Sequence, residues 1–136
     1  MSKYKAGNIF ISFKFATRGI LLAIKSERNF RADLLVAFLA FILAFYFDFS
    51  RIEMAILVLT IGFVLFAELF NTVIEFIVDA YFGNKYSILA KMAKDTSAGA
   101  VLIVAVTAVG IGLLLFLPKV MQALFPHISM MKIFMP

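Results

Sequence analysis

Three long apolar stretches, parted by short polar segments, set the pattern of this chain. Residues 34–47 form an uncharged apolar run. With Phe30, Ala32 and Phe49 as flanks it reaches about 18–20 residues, enough for one crossing of a bilayer. Asp48-Phe-Ser-Arg51 reads as a tight turn. Residues 52–78 make a second long apolar helix, with Glu53 near its start and a break at Gly83-Asn84. Residues 85–95 read as a basic loop entering a third span over 97–117, which Pro118 is expected to end. Ahead of the first span, Ile9, Phe13, Ala16, Ile20 and Ile24 share one helical face, and Lys14, Arg18 and Lys25 lie together on the other. That is the pattern of an amphipathic helix lying in the membrane interface. The expected fold is therefore an all-α membrane protein in one domain, 1–118. It has a surface helix over 8–26 and transmembrane helices over about 30–49, 52–80 and 96–117. The tail 119–136 is apolar, Met-rich, too short to span and without an assigned role.

The second helix departs from its own pattern near its end. Residues 67–79 read Ala-Glu-Leu-Phe-Asn-Thr-Val-Ile-Glu-Phe-Ile-Val-Asp, with three carboxylates and an amide in a deeply apolar context. At about 100° per residue, Glu68, Asn71, Glu75 and Asp79 share a face about 80° wide and about 16 Å long. An ionisable group at membrane depth costs at least ~2.5 kcal/mol. Several on one stripe point to a polar site facing protein, metal or water rather than lipid.

Composition sharpens this reading. The chain has 136 residues, is 64% hydrophobic and carries 17 Phe, with a mean hydropathy of +1.04. A soluble domain is about half apolar, so a few membrane spans are expected instead. The absence of cysteine excludes disulfides, thiolate metal sites and cysteine nucleophiles. The single histidine, His127, lies in the tail and argues against histidine-based catalysis. The basic residues behind the net charge of +5 flank apolar runs, which favours anionic lipid over nucleic acid as the partner. No cleavable leader is expected, because Lys14 and Arg18 interrupt the first apolar stretch. Lys3, Lys5, Lys14, Arg18, Lys25, Arg28 and Arg31 precede the first span, and Lys85, Lys91 and Lys94 lie between the second and third. Only Arg51 lies between the first and second. The positive-inside rule then places the N-terminus and the loop 85–95 in the cytoplasm and the C-terminus outside. Glu27, Glu75, Asp79, Lys91, Lys94 and Asp95 all meet that inner face, with Glu68 about 16 Å deeper than Asp79.

Carboxylates in a stripe suit hard cations such as Mg²⁺, which share their oxygen ligands with phosphates. Lysines across the gap suit phosphate oxygens, and a carboxylate in a low-dielectric site is a competent base toward an alcohol. Metal clamp, cation and general base are the parts of phosphoryl transfer. No Walker A sequence, Gly-rich kinase loop or protein-kinase catalytic loop is present. Blander readings stand beside this one. Glu68 and Glu75 can line a proton or cation path. Asp79 can be a solvated boundary residue, and Lys91 and Lys94 simple anchors. A non-enzymatic membrane scaffold is a further alternative.

Two strings carry a resemblance. Ala67-Glu-Leu-Phe-Asn-Thr-Val-Ile-Glu-Phe-Ile-Val-Asp79, followed by Ala93-Lys-Asp-Thr-Ser-Ala-Gly-Ala-Val101, resembles the signature of the prokaryotic diacylglycerol kinase family, which includes undecaprenol kinases. Gly19-Ile-Leu-Leu-Ala-Ile-Lys-Ser-Glu-Arg-Asn-Phe-Arg31 also fits that family's pattern, and the likeness runs from about Phe13 to about Leu117. The resemblance implies homotrimers in a prokaryotic inner membrane, with composite sites between subunits. These use ATP with Mg²⁺ to phosphorylate a lipid alcohol. It implies Glu68 as general base, Glu27 and Glu75 as carboxylates holding metal and ATP phosphates, and Asn71 as the residue orienting them. Asp79, Lys94 and Asp95 match nucleotide- or phosphate-side positions, and Lys91 matches where the loop length varies. Asn71-Thr72 and Ser97-Ala-Gly-Ala-Val101 look more like the undecaprenol branch.

Overall fold

The computed structural model describes residues 9–83 and 85–125. It is all-helical, with α1 (Ile9–Ser26), α2 (Arg28–Tyr46), α3 (Arg51–Phe82) and α4 (Ile88–Leu124). Lys3, Lys5, Asn84, His127 and the tail from 126 onward lie outside the described residues.

Each junction has a local cause. Glu27 is the single extended residue between α1 and α2, at φ −102° and ψ 119°. Between α2 and α3 the chain turns in four residues. Asp48 takes a left-handed φ of 50°, a conformation that Asp tolerates, and the Phe49 N–H reaches back to the Ala44 carbonyl at 3.0 Å. Ser50 then opens α3 with a capping box. Its hydroxyl accepts from the Glu53 N–H at 3.3 Å and its own N–H donates to Glu53 Oε2 at 2.7 Å. Gly83 closes α3 at φ 56° and ψ −133°, a region open in practice to glycine alone. Ser87 starts α4 by accepting the Ala90 N–H at 3.4 Å.

α3 packs along α4 and more briefly against α2, while α1 touches both α2 and α3. Ala23 and Ala44 are almost fully buried, so these contacts are made by close backbone approach at small side chains. Large apolar side chains face outward instead, among them Phe38, Phe45, Phe66, Leu102 and Leu114. Among the described residues three helices are long and apolar enough to cross a membrane, α2, α3 and α4. An outward greasy surface around three such helices is the arrangement a bilayer stabilises.

The helices differ in length, and this places the site. α2 has 19 residues, α3 has 32 and α4 has 37. At 1.5 Å per residue these are about 28, 48 and 55 Å, against a hydrocarbon thickness of about 30 Å. Glu27, at the start of α2, lies within electrostatic reach of Glu68. The α3–α4 hairpin therefore continues about 21 Å past the start of α2.

Two boundaries depart from expectation. The basic loop is shorter than 85–95, because α4 already begins at Ile88. Pro118 does not end the helix, which runs on to Leu124. Proline removes one backbone donor, but an apolar surrounding makes it costly to unwind the rest. Side chains also hold the segment. Lys119 Nζ lies 3.3 Å from Glu53 Oε1 and 5.7 Å from the centre of the Phe49 ring, and Phe49 packs on Phe116 at 4.8 Å. The first part of the tail is thus helical and tied to the α2–α3 turn.

Candidate functional site

The face of α3 predicted from helical spacing is present. Its four polar side chains have different surroundings. Glu68 is 7% exposed, the most buried carboxylate described. Among the described residues it neither accepts a side-chain hydrogen bond nor pairs with a cation, and its oxygens keep contact with the surface. Thr72 beneath it is buried and satisfied by the Glu68 carbonyl at 3.0 Å.

One turn on, a polar chain crosses from α4 to α3. The Ser97 hydroxyl donates to Asn71 Oδ1 at 2.6 Å, and Asn71 Nδ2 donates to Glu75 Oε1 at 3.0 Å. This fixes which way the Asn71 amide points and leaves Glu75 Oε2 available. A further turn on, Lys94 Nζ donates to Asp79 Oδ1 at 2.6 Å, and Lys94 is also within electrostatic reach of Glu75. The pair is half-exposed, so it is open to exchange for an incoming anion and adds at most about 1 kcal/mol of stability. Asp95, about 100° further round α4, is exposed and unpaired among the described residues.

Glu53–Lys119, Asn71–Ser97 and Asp79–Lys94 occur in opposite order along the two helices. The three links therefore hold α3 and α4 in one antiparallel register. Beyond Asp79 a shallow pocket of about 170 Å³ lies at the hairpin turn. Asp79, Lys85, Tyr86, Lys91 and Lys94 line it. Lys91 thus stands beside the Lys94–Asp79 pair.

The structure also brings in residues that spacing did not single out. Asp33, at the start of the first apolar run, lies within electrostatic reach of Glu68, as do Glu75 and Glu27. Asp33 also stands at the end of an apolar groove of about 280 Å³ between α2, α3 and α4, lined by Ala37, Leu57, Val64 and Phe116 among others. Ser97, buried against α3, is the second addition.

A multi-pass helical membrane protein with a carboxylate–amide–lysine site at one end of its bundle is the class that fold and site define. The sequence profile described as prokaryotic diacylglycerol kinase matches residues 14–116. The chain belongs to the prokaryotic diacylglycerol kinase family, and it is a lipid kinase. It is 46% identical over 110 residues to an undecaprenol kinase of Bacillus subtilis, covering 81% of this chain and 89% of that protein. It is 38% identical over 117 residues to a diacylglycerol kinase of Synechocystis sp., covering 86% of this chain and 67% of that protein. Identity to a diacylglycerol kinase of Escherichia coli is 32% over 95 residues, covering 70% and 77%.

A kinase implies a nucleotide co-substrate, and a divalent ion would come with its phosphates. Among the described residues no three carboxylates or imidazoles form an all-protein metal cage. Mg²⁺ does not require one, since it is commonly held by one or two carboxylates plus substrate phosphates. Glu75, with one oxygen left open by Asn71, and Glu27, which makes no capping bond at the α1–α2 corner, are donors of that kind. The residues fit a metal that arrives on a phosphate.

Proposed function

We propose that this protein transfers the γ-phosphoryl group of Mg·ATP to the hydroxyl of a membrane lipid alcohol, undecaprenol in preference to diacylglycerol. The observation that carries this is the placement of Glu68. It is a buried carboxylate without a hydrogen-bond partner among the described residues, level with the start of α2, and the Lys94–Asp79 pair stands about 16 Å further along the bundle. A lipid hydroxyl entering from the side meets Glu68, and a nucleotide entering from the water meets the lysines.

In this reading Glu68 accepts the alcohol proton as the alcohol oxygen attacks the γ-phosphorus, and the bond to the ADP oxygen breaks with its electron pair. Glu27 and Glu75 hold the divalent ion, whose contribution is to draw charge from the phosphate oxygens. Asn71 keeps Glu75 in place. Lys94, released from Asp79, neutralises phosphate charge, and Asp79 and Asp95 bound the nucleotide on the solvent side. Lys91 stands at the same pocket.

A pocket of about 170 Å³ is smaller than the ~300–1,000 Å³ that small-molecule sites usually offer. Asp95 also faces away from the α3 stripe. Both features support a homotrimer in which a neighbouring subunit completes each site. The distribution of basic residues supports a cytoplasmic site in a prokaryotic inner membrane, with α1 on the inner surface, the N-terminus inside and the C-terminus outside. The greater identity to an undecaprenol kinase supports undecaprenol as the acceptor.

The ion-path alternative finds little to build on. Between Met54 and Ala67 the only polar side chain of α3 is Thr60, and its hydroxyl is taken up by the Ile56 carbonyl at 2.8 Å. The deciding experiment offers purified protein γ-labelled ATP with undecaprenol or diacylglycerol in separate mixed micelles. Label in undecaprenyl phosphate, at several times the rate of diacylglycerol labelling, is the expected result. Label in neither lipid, or ion flux in liposomes without ATP, would overturn it.

A further inference from the structure

The corner between α1 and α2 holds Glu27, and its construction is unusual. A helix C-terminus leaves carbonyls without partners, and many helices answer with a glycine in the left-handed conformation. No glycine stands here. Instead Arg31, in the first turn of the next helix, reaches back. Its Nη1 donates to the Ile24 carbonyl at 2.9 Å and to the Lys25 carbonyl at 3.2 Å. A cation on the last carbonyls of α1 also complements the helix dipole. The backbone ties the same corner. The Glu27 N–H donates to the Ala23 carbonyl at 2.9 Å, and the Arg31 N–H approaches the Glu27 carbonyl at 3.4 Å. Ala23 and Phe30 are buried beneath it. Glu27 therefore sits in a closed loop running from the end of α1, through the first turn of α2, and back through the guanidinium.

We propose that Arg31 is a positioning residue for divalent-metal binding: by clamping the end of α1 to the start of α2, it fixes the direction in which Glu27 presents its carboxylate toward the acidic stripe of α3 at Glu68. This rests on the reading of Glu27 and Glu75 as metal-side carboxylates. Arg31 acts through the corner and not by touching phosphate. Its loss frees the one non-helical residue between the two helices, so the carboxylate samples directions away from α3. Partners that orient a metal-ligating group are worth about 10–100-fold in metal affinity.

The test titrates Mn²⁺ onto the full chain in micelles with a non-hydrolysable ATP analogue, read by loss of the free Mn²⁺ EPR signal. Arg31→Gln, which has neither the charge nor the reach, is expected to weaken Mn²⁺ binding about tenfold. Arg31→Lys, whose ammonium reaches the same carbonyls, is expected to recover most of it. In a Glu27→Gln background Arg31→Gln should change binding less than about twofold, because a residue that acts through another is silent once that other is gone. The same tenfold loss in the Glu27→Gln background would assign Arg31 to phosphate and overturn the proposal. Unchanged Mn²⁺ binding in folded Arg31→Gln would overturn it too. Should Arg31→Gln fail to fold, the cycle is run with Arg31→Lys, whose smaller loss must again vanish without Glu27. Failure of the wild-type chain to bind Mn²⁺ with the analogue would instead sink the underlying kinase-site reading.

Discussion

Glu75 and Asn71 differ from Glu68 in having partners, and their variants should behave differently. Glu75→Gln keeps the shape and the Asn71 bond but removes the charge. It is expected to raise the Mg²⁺ concentration needed for half-maximal ATP binding by about tenfold or more, and an unchanged titration would remove Glu75 from the metal. Ser97→Ala removes one donor to Asn71, an effect of about 1 kcal/mol, or roughly fivefold. It should appear as weaker Mg²⁺ dependence with the protein still folded, and thermal melting alongside the kinetics separates the two. The shared face of Glu68, Asn71, Glu75 and Asp79 was legible in the sequence because a helix fixes which residues are neighbours three and four apart. Asp33 and Ser97 were not. Each joins the cluster only through packing of a different helix, and nothing in their local spacing distinguishes them from a solvated connector residue and a small residue in a span.

At the scale of the element, the apolar runs identified the three long helices, and errors fell at their ends. Proline ends helices most reliably in water, where a freed carbonyl finds solvent. α4 passes through Pro118 in apolar surroundings, and Lys119 finds Glu53 on the far side of a sequence gap that spacing alone cannot bridge. Glu53 was visible only as an acid near a helix start. Its second role, pairing with Lys119, depends on the antiparallel register of α3 and α4. Lys119→Met should lower the melting temperature only slightly, since the pair is open to solvent. It should leave the KM for ATP unchanged, because the link stands at the opposite end of the bundle from Lys94. A changed KM in a variant of normal stability would show that the register at that end reaches the site.

For the whole molecule, α3 and α4 project beyond α2 with their charged side chains, and Asp95 points away from its own chain's acidic stripe. Mixed oligomers test whether subunits share sites. Glu68→Gln chains and Asp95→Asn chains, each inactive alone, should regain about a tenth or more of wild-type turnover when assembled together, given that complementary sites form statistically. No recovery in mixed oligomers would place Asp95 and Glu68 in the same chain's site. The most direct measurement separates chemistry from binding at Glu68. With Glu68→Gln, lipid phosphorylation and Mg·ATP affinity are measured on the same preparation. Turnover should fall by at least about 10²–10⁴-fold, the range for a lost general base, while affinity for Mg·ATP stays within about twofold. Loss of nucleotide binding with turnover retained at saturating ATP would contradict the assignment of the buried carboxylate as the group that takes the proton.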